Sequence, residues 1–429
     1  MPISPPQNNN DLFPSNLGPE YVGFDHIHWW VGNAKQAASY YITRMGFRPI
    51  AYRGPETGSA CLTSYVVRNG DAVFVLTAPV CAPGRSKDEQ QLSSKATEED
   101  RAALATIHAH LTAHGDGVRD VAFRIKGDIG AVWKRAVTHG AEGIASPATV
   151  VVDGHGAIRI ATIGTYGDTV HSLVNRDEYS AQAPFLPGYR VLHGDDEDPI
   201  NTLLPPIEFV EIDHCVGNQP WGVWIRWCDS RWNADQAHEL NADGKSSYEE
   251  CLDFHRYWTV DDKDMCSEYS AMRSIVVASP NETIKMPMNE PATGKKKSQI
   301  QEFVEYYHGP GVQHIAFLTL DIVTAVSRLR SRGVQFLQVP PAYYTDLRAR
   351  LSHVPWTLDA DLAELQRLNV LVDFDERGYL LQIFAKHVGD RPTVFVEVIQ
   401  RRGFDGFGAG NFKSLFEAFE REQARRGTL

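Results

Sequence analysis

Two histidines and a glutamate, His214, His314 and Glu397, stand in the second half of the chain inside short apolar stretches, IDHCVGN, GVQHIAF and TVFVEVIQR. Glu397 has the least forgiving setting. The stretch Thr393 to Arg401 reads as a strand apolar on both faces, with Val394, Val396 and Val398 pointing one way and Phe395 and Ile399 the other. Glu397 interrupts the second face. An ionised carboxylate buried there alone would be very unfavourable, so it must be protonated, paired with a cation or bound to a metal. No Lys or Arg adjoins it. Alternation places His214 in phase with Val210, Ile212 and Val216, and His314 in phase with Val312, Ala316 and Leu318, so each faces inward. Two imidazoles and one carboxylate with further coordination positions open make the ligand set of a mononuclear non-haem Fe(II) oxygenase. Around zinc, with one open position, the set would be hydrolytic.

Each residue has a plainer reading when taken singly. A lone histidine on an apolar strand face is more often a satisfied core residue, and a lone buried glutamate more often belongs to an ion pair. The metal reading rests on the three together, at equivalent positions in repeated modules. A rival HxD pattern, His193-Gly194-Asp195, lies in an acidic, proline-flanked segment where no strand would hold it rigid.

The elements that must position these residues come in four similar modules. Gly23 to Val31 reads as a strand, Ala34 to Met45 as a helix stopped by Gly46, and strands follow near Thr63–Val67 and Ala72–Thr77. After a polar loop, Pro83 to Asp100, and a helix from Glu98 to His114, a second module opens at Gly117, with a helix from Ile129 to His139 and strands near 149–152, 158–163 and 169–174. Composition changes between Asp177 and Pro206, where FLPGY, HGDDEDP and paired prolines mark a boundary. A third module begins at IDHCVGN, with a helix over 248–255 and strands near 274–278 and 283–286. Gly311 opens the fourth, with a helix over 322–333, a long insertion to about Arg367, and strands near 371–375, 380–385 and at Glu397. The chain closes with an amphipathic helix, Phe412 to Arg426.

Repetition is visible in residues. Asp25-His26 corresponds to Asp213-His214, and GVRDVAF to GVQHIAF, which sets Asp120 opposite His314. One offset of 225 residues relates Arg176 to Arg401 and Ser172 to Glu397. Only the second half therefore carries His, His and Glu together. The domain reading is a disordered tail over 1–20, an N-terminal domain of two modules over 21–180, a linker over 181–206, and a catalytic domain over 207–429.

Bulk properties narrow the class. A chain of 429 residues exceeds one ordinary core. Its net charge of −12 argues against nucleic acid or anionic membrane as partners, and Lys295-Lys296-Lys297 reads as a solvated loop. Six cysteines without a CxxC pair suit a reducing compartment. The opening segment has neither the basic nor the apolar region of a signal peptide, and no run approaches the ~20 apolar residues of a membrane span. A cytoplasmic location is expected.

Beyond the triad, the sequence resembles the 4-hydroxyphenylpyruvate dioxygenase family over most of its length. The motifs that carry the resemblance are IDHCVGN, PMNEP, KKKSQIQ, GVQHIAF, LLQIF, GDRPTVFVEVIQR and GFGAGNF, in that order. It implies an α+β vicinal-oxygen-chelate fold, four βαβββ modules in two open-barrel domains, assembled as a homodimer. The implied reaction belongs to tyrosine and phenylalanine catabolism. There, 4-hydroxyphenylpyruvate and O2 become homogentisate and CO2 through oxidative decarboxylation, ring hydroxylation and side-chain migration. Fe(II) is the implied cofactor, one per chain, on His214, His314 and Glu397. The substrate brings its own 2-oxo acid, which can fill two open metal positions, so no 2-oxoglutarate is needed. Matching motifs carry Ser274, Asn289, Gln299 and Gln382 over as catalytic residues and Gln313 as substrate-binding. Phe384 and Phe407 would sandwich the aromatic ring, and Asn411 and Phe412 open a terminal helix that gates the pocket. Without the resemblance these amides would read as solvated and the phenylalanines as core.

Three other functions compete. Hydroxymandelate synthase uses the same substrate and metal but oxidises the benzylic carbon; Phe384, a bulky ring expected to hold the substrate ring toward the oxidant, favours the dioxygenase. A non-catalytic binding protein on the same modules would not need the intact triad. A zinc-dependent hydrolase or isomerase is disfavoured by the 2-oxo acid pocket.

Overall fold

Repeated strand–helix–strand units fold into two sheets in the computed structural model, which describes residues 20–81, 98–193, 198–221, 248–260, 271–292 and 297–428. The first sheet holds β1 (Glu20–Trp30), β2 (Arg48–Arg53), β3 (Leu62–Asn69), β4 (Ala72–Pro79), β5 (Gly117–Lys126), β6 (Gly143–Val152), β7 (Gly156–Gly164), β8 (Val170–Tyr179) and β9 (Arg190–Val191). Their order is β6-β7-β8-β5-β1-β4-β3-β2-β9. The second holds β10 (Ile212–Asn218), β11 (His255–Val260), β12 (Ala271–Ala278), β13 (Lys285–Ala292), β14 (Gly311–Leu318), β15 (Leu371–Phe374), β16 (Tyr379–Phe384) and β17 (Phe395–Arg402). Its order is β11-β12-β13-β10-β14-β17-β16-β15. In each module the first strand runs parallel to the last, and two modules join through antiparallel first strands. This is the four-module architecture expected from the repeat.

Duplication holds to the residue. His26 lies opposite Ala122 as His214 lies opposite Ala316. Asp120 pairs with Val170 as His314 pairs with Phe395, and Phe123 with Leu173 as Phe317 with Val398. The helices Ala34–Met45, Ile129–Thr138 and Ile322–Ser331 share a start as well. Asn33, Asp128 and Asp321 each accept a main-chain N–H from the first turn, satisfying a donor that the helix leaves free.

Several expectations need correction. The helix of the third module ends at Leu252, after which Asp253 takes a left-handed φ of 62° and β11 begins at His255. PMNEP is part of β13 despite its two prolines. The ladder from β13 to β10 is confined to Met288 and Asn289, so neither proline has to donate to it. Within the expected linker, β9 adds an edge to β2 and Pro199–Leu203 is helical. The insertion of the fourth module contains the helices Pro341–Leu351 and Leu362–Leu368. The tail, most of the loop 83–100, Gly194-Asp195 and Lys295-Lys296 lie outside the described residues.

The two sheets share one core. Phe317 of β14 stacks on Phe209 at 4.7 Å and meets Phe47 and Phe74 of the first half at 5.7 and 5.6 Å. Aromatic burial of this kind contributes about 1 kcal/mol per pair beyond area, so β14, which carries His314, is held from both halves.

Candidate metal centre

The first ligand depends on a break in alternation. In a regular strand, consecutive side chains point to opposite faces, so Asp213 and His214 could not meet. Between Ile212 and His214 the register with β14 slips, setting two residues of β10 against one step of its partner. Such a bulge re-aims a side chain. Val210, expected on the inward face, precedes β10 and is 37 % exposed, while the slip brings Asp213 and His214 together. As a result His214 Nδ1 donates to Asp213 Oδ2 at 2.7 Å, and Arg401 of β17 clamps that carboxylate with two N–H donors at 2.7 and 2.9 Å. An equivalent slip occurs between Phe24 and His26, where Asp25 holds His26 and is clamped by Arg176.

The three expected ligands converge. His214 Nε2 and His314 Nε2 lie 3.3 and 3.5 Å from Glu397 Oε2, and one ligand atom from each residue falls within 4.8 Å of the others. Metal bonds of about 2.1 Å at right angles put neighbouring ligand atoms about 3 Å apart, so a single ion fits the spacing. Both imidazoles point their lone pairs correctly for it. The Nδ1 proton of His214 is fixed by Asp213, and that of His314 by Gln313 Oε1 at 3.2 Å. Gln313 in turn donates to Gln299 Oε1 at 2.6 Å. His314 is also stacked on Phe395 at 4.7 Å.

Electrostatics separate the two imidazoles. Burial opposes the charge on Glu397, but the two histidines outweigh it and hold the carboxyl below its ordinary value. Burial lowers His314, whose Nδ1 partner is a neutral amide, so it is a ready neutral donor. His214 faces the same burial but has carboxylates on both sides, Asp213 and Glu397, and is raised. At the matching positions of the first half, Asp120 accepts from the Ser172 hydroxyl and main-chain N–H instead; the one-carbon serine side chain cannot act as the third ligand.

A cavity opens beside the triad. Alternate residues of β12 and β13 form one wall, Met272, Ser274 and Val276 beside Pro287 and Asn289. Gln299, Gln313, Phe384, Phe407 and Phe412 also line it, as expected. Phe407 meets His214 edge-on at 5.2 Å, and Phe384 meets His314 edge-on at 6.2 Å, so an aromatic ring flanks each imidazole. Two expected pocket residues sit apart. Gln382 is packed against Gly408, where a Cβ would come within 2.4 Å of its amide, and Asn411 accepts from the Tyr343 hydroxyl; neither lines the cavity.

Sequence reasoning missed three things. Trp258 lines the cavity from β11, a strand that follows the expected helix and that the sequence reading did not place. Leu415, Phe416 and Phe419 line it from the helix Phe412–Arg426, at a helical spacing that the amphipathic pattern already displayed. Arg401 and Arg176, equivalent positions in the repeat, hold Asp213 and Asp25.

Comparison with known proteins agrees with this geometry. Residues 242–383 match the family model of the Glyoxalase/Bleomycin resistance protein/Dioxygenase superfamily. The chain is 66 % identical over 422 residues to "Probable 4-hydroxyphenylpyruvate dioxygenase 2" of Aspergillus fumigatus, covering 98 % of each chain. It is 50 % identical to the 4-hydroxyphenylpyruvate dioxygenase of Yarrowia lipolytica, covering 95 % of this chain and 94 % of that one. Among solved structures, a triple mutant of 4-hydroxymandelate synthase from Streptomyces coelicolor superposes with a TM-score of 0.71 at 29 % identity, covering 94 % of this chain and 98 % of that one. With relatives this close along nearly the whole sequence, the chain belongs to the 4-hydroxyphenylpyruvate dioxygenase family.

Proposed function

We propose that this enzyme is an Fe(II) dioxygenase that converts 4-hydroxyphenylpyruvate and O2 to homogentisate and CO2, in the breakdown of tyrosine and phenylalanine. The observation that carries the reading is the meeting of His214, His314 and Glu397 at an aromatic-walled cavity. Iron, when bound by these three side chains, supplies O2 activation and polarisation of the 2-oxo acid. The protein supplies the rest. Asp213 and Gln313 keep both Nδ1 protons in place, and Phe384 and Phe407 flank the position of the substrate ring. Ser274 and Asn289 offer a hydroxyl and an amide that can orient a phenol without adding charge. Leu415, Phe416 and Phe419 of the terminal helix exclude water.

None of the described residues lining the cavity is Lys or Arg. An entering carboxylate therefore finds its positive partner at the metal, which favours a chelating 2-oxo acid and makes a separate 2-oxoglutarate unnecessary. Hydroxymandelate synthase remains the second reading, since a triple mutant of one shares the fold. Supplying Fe(II), O2 and 4-hydroxyphenylpyruvate and identifying the product separates the two: homogentisate is expected, and hydroxymandelate would overturn the assignment. Retention of iron by Glu397→Ala would instead favour a binding protein whose metal lies elsewhere.

The proposal includes a cytoplasmic homodimer. Its support is the sparse cysteine usage without a CxxC spacing and the edge strand β6, which leaves Ile144, Val150 and Val151 exposed. Unpaired apolar edges are normally covered, and a second copy of the chain would cover this one. Val151→Lys is expected to shift the protein toward monomer in size-exclusion chromatography.

A further inference from the structure

The helix Glu98–His114 carries a second pair of histidines, His110 and His114, spaced four residues apart and so on one face. Both turn toward Asp168, in the turn ahead of β8. His110 Nδ1 is 2.6 Å and His114 Nε2 is 3.5 Å from Asp168 Oδ2. One ligand atom from each of the three lies within 4.8 Å of the others, as in the Glu397 triad. His114 Nδ1 hydrogen-bonds the main-chain carbonyl of Tyr307, which leaves its Nε2 lone pair free toward Asp168. Ligating histidines are ordinarily oriented by such a bond on the other ring nitrogen.

The surroundings are short of partners. Asp168 Oδ1, His110 Nε2 and the Tyr307 hydroxyl are each buried without a hydrogen bond. Buried polar atoms are nearly always satisfied, so three orphans in one cluster point to an occupant. Gly117 packs tightly here: an added Cβ would stand 2.8 Å from the Tyr307 hydroxyl and 3.2 Å from His110 Nε2, so only glycine leaves those two atoms uncrowded. Burial holds His110 below its ordinary pKa, so it is available as a neutral donor. Arg119 Nη1, 3.8 Å from Asp168 Oδ2, works against a dication, so this should be the weaker of the two centres.

We propose that His110, His114 and Asp168 form a second metal centre, suited to a dication of the zinc type that accepts imidazole and carboxylate ligands. It braces the two halves against each other. The His114 ring stacks on Tyr307 at 4.3 Å, and Tyr307 ends the helix Gln299–Tyr307, whose first residue lines the catalytic cavity.

The test is zinc binding by full-length protein in which the first triad is dismantled by His314→Ala and Glu397→Ala. Titration with ZnCl2 is expected to find one ion per chain, accompanied by a rise in Tm. Adding His114→Ala or Asp168→Asn should reduce the bound zinc to background. Absence of zinc binding in the first background, or zinc retained after both additions, would overturn the proposal. Should those variants fail to fold, cobalt(II) titration of the unsubstituted protein decides: two equivalents with visible absorption support the second centre, and a single equivalent sinks it.

Discussion

Arg401 clamps Asp213 with paired N–H donors from the strand that also carries Glu397, two turns of the pleat away. One strand therefore supplies a ligand directly and fixes another through Asp213 and His214. The Arg176–Asp25 pair in the first half has the same form. The clamp thus belongs to the repeated fold, and only in the second half does it stand beside His314 and Glu397.

Asp213→Asn should keep the shape of that clamp while removing its charge. Loss of a partner that orients a ligating histidine typically weakens metal binding about 10- to 100-fold. Iron titration of the variant should show a weakening of that order with the far-UV spectrum preserved; unchanged affinity would mean the clamp is irrelevant to the metal. Asp213→Ala should be worse, because it leaves the buried Arg401 charge unpaired at a cost of about 3–5 kcal/mol.

Glu397→Ala removes the third ligand without crowding the cavity. The expected result is a folded protein that elutes from a desalting column without iron and has no turnover. Metal analysis beside thermal melting distinguishes this from simple unfolding.

Phe384→Ala should cut kcat/KM by about 3- to 10-fold, the equivalent of the ~1 kcal/mol that an aromatic contact adds beyond burial. Iron content should be unaffected, because Phe384 touches His314 edge-on and carries no ligand. A variant with full kcat/KM would remove Phe384 from the binding site.

The terminal helix is latched at its far end. Glu302 accepts from Arg426 at 2.7 Å and from the Thr428 hydroxyl at 2.5 Å. Arg426→Ala should speed hydrogen exchange over residues 412–426 and leave β17 protected. Equal exchange in both proteins would show that the Arg426–Glu302 pair does not hold the helix.

Acid should destabilise the first half through His171. Its ring donates to the Val121 carbonyl and accepts from the Tyr248 hydroxyl, and burial pushes its pKa down to about 4. Unfolded, it titrates near 6.5. Between those values the unfolded chain binds the proton and the folded chain does not. Stability is therefore whole above about pH 6.5 and is lost as pH falls toward 4, by up to about 3 kcal/mol. His171→Gln can make both hydrogen bonds without titrating, so its Tm should fall less steeply over that range. Some slope will remain, because burial also lowers His28 and His387 to about 3.

Sequence alone determined the repeat, the helix spans Ala34–Met45 and Phe412–Arg426, and the three ligand types. Each of these is written in local periodicity or in a costly residue such as Glu397 that an apolar strand cannot leave unpaired. The tertiary structure decided which neighbours those residues have. No alternation rule foretells the bulge that lets Asp213 reach His214, because it arises from pairing with a strand a hundred residues away. Gln382 and Asn411 were drawn to the pocket by motif, yet Gly408 and Tyr343 hold them outside its lining. Trp258 entered it only because β12 captured the preceding segment as a strand. Local pattern sets which face of an element is apolar; long-range pairing sets what that face meets.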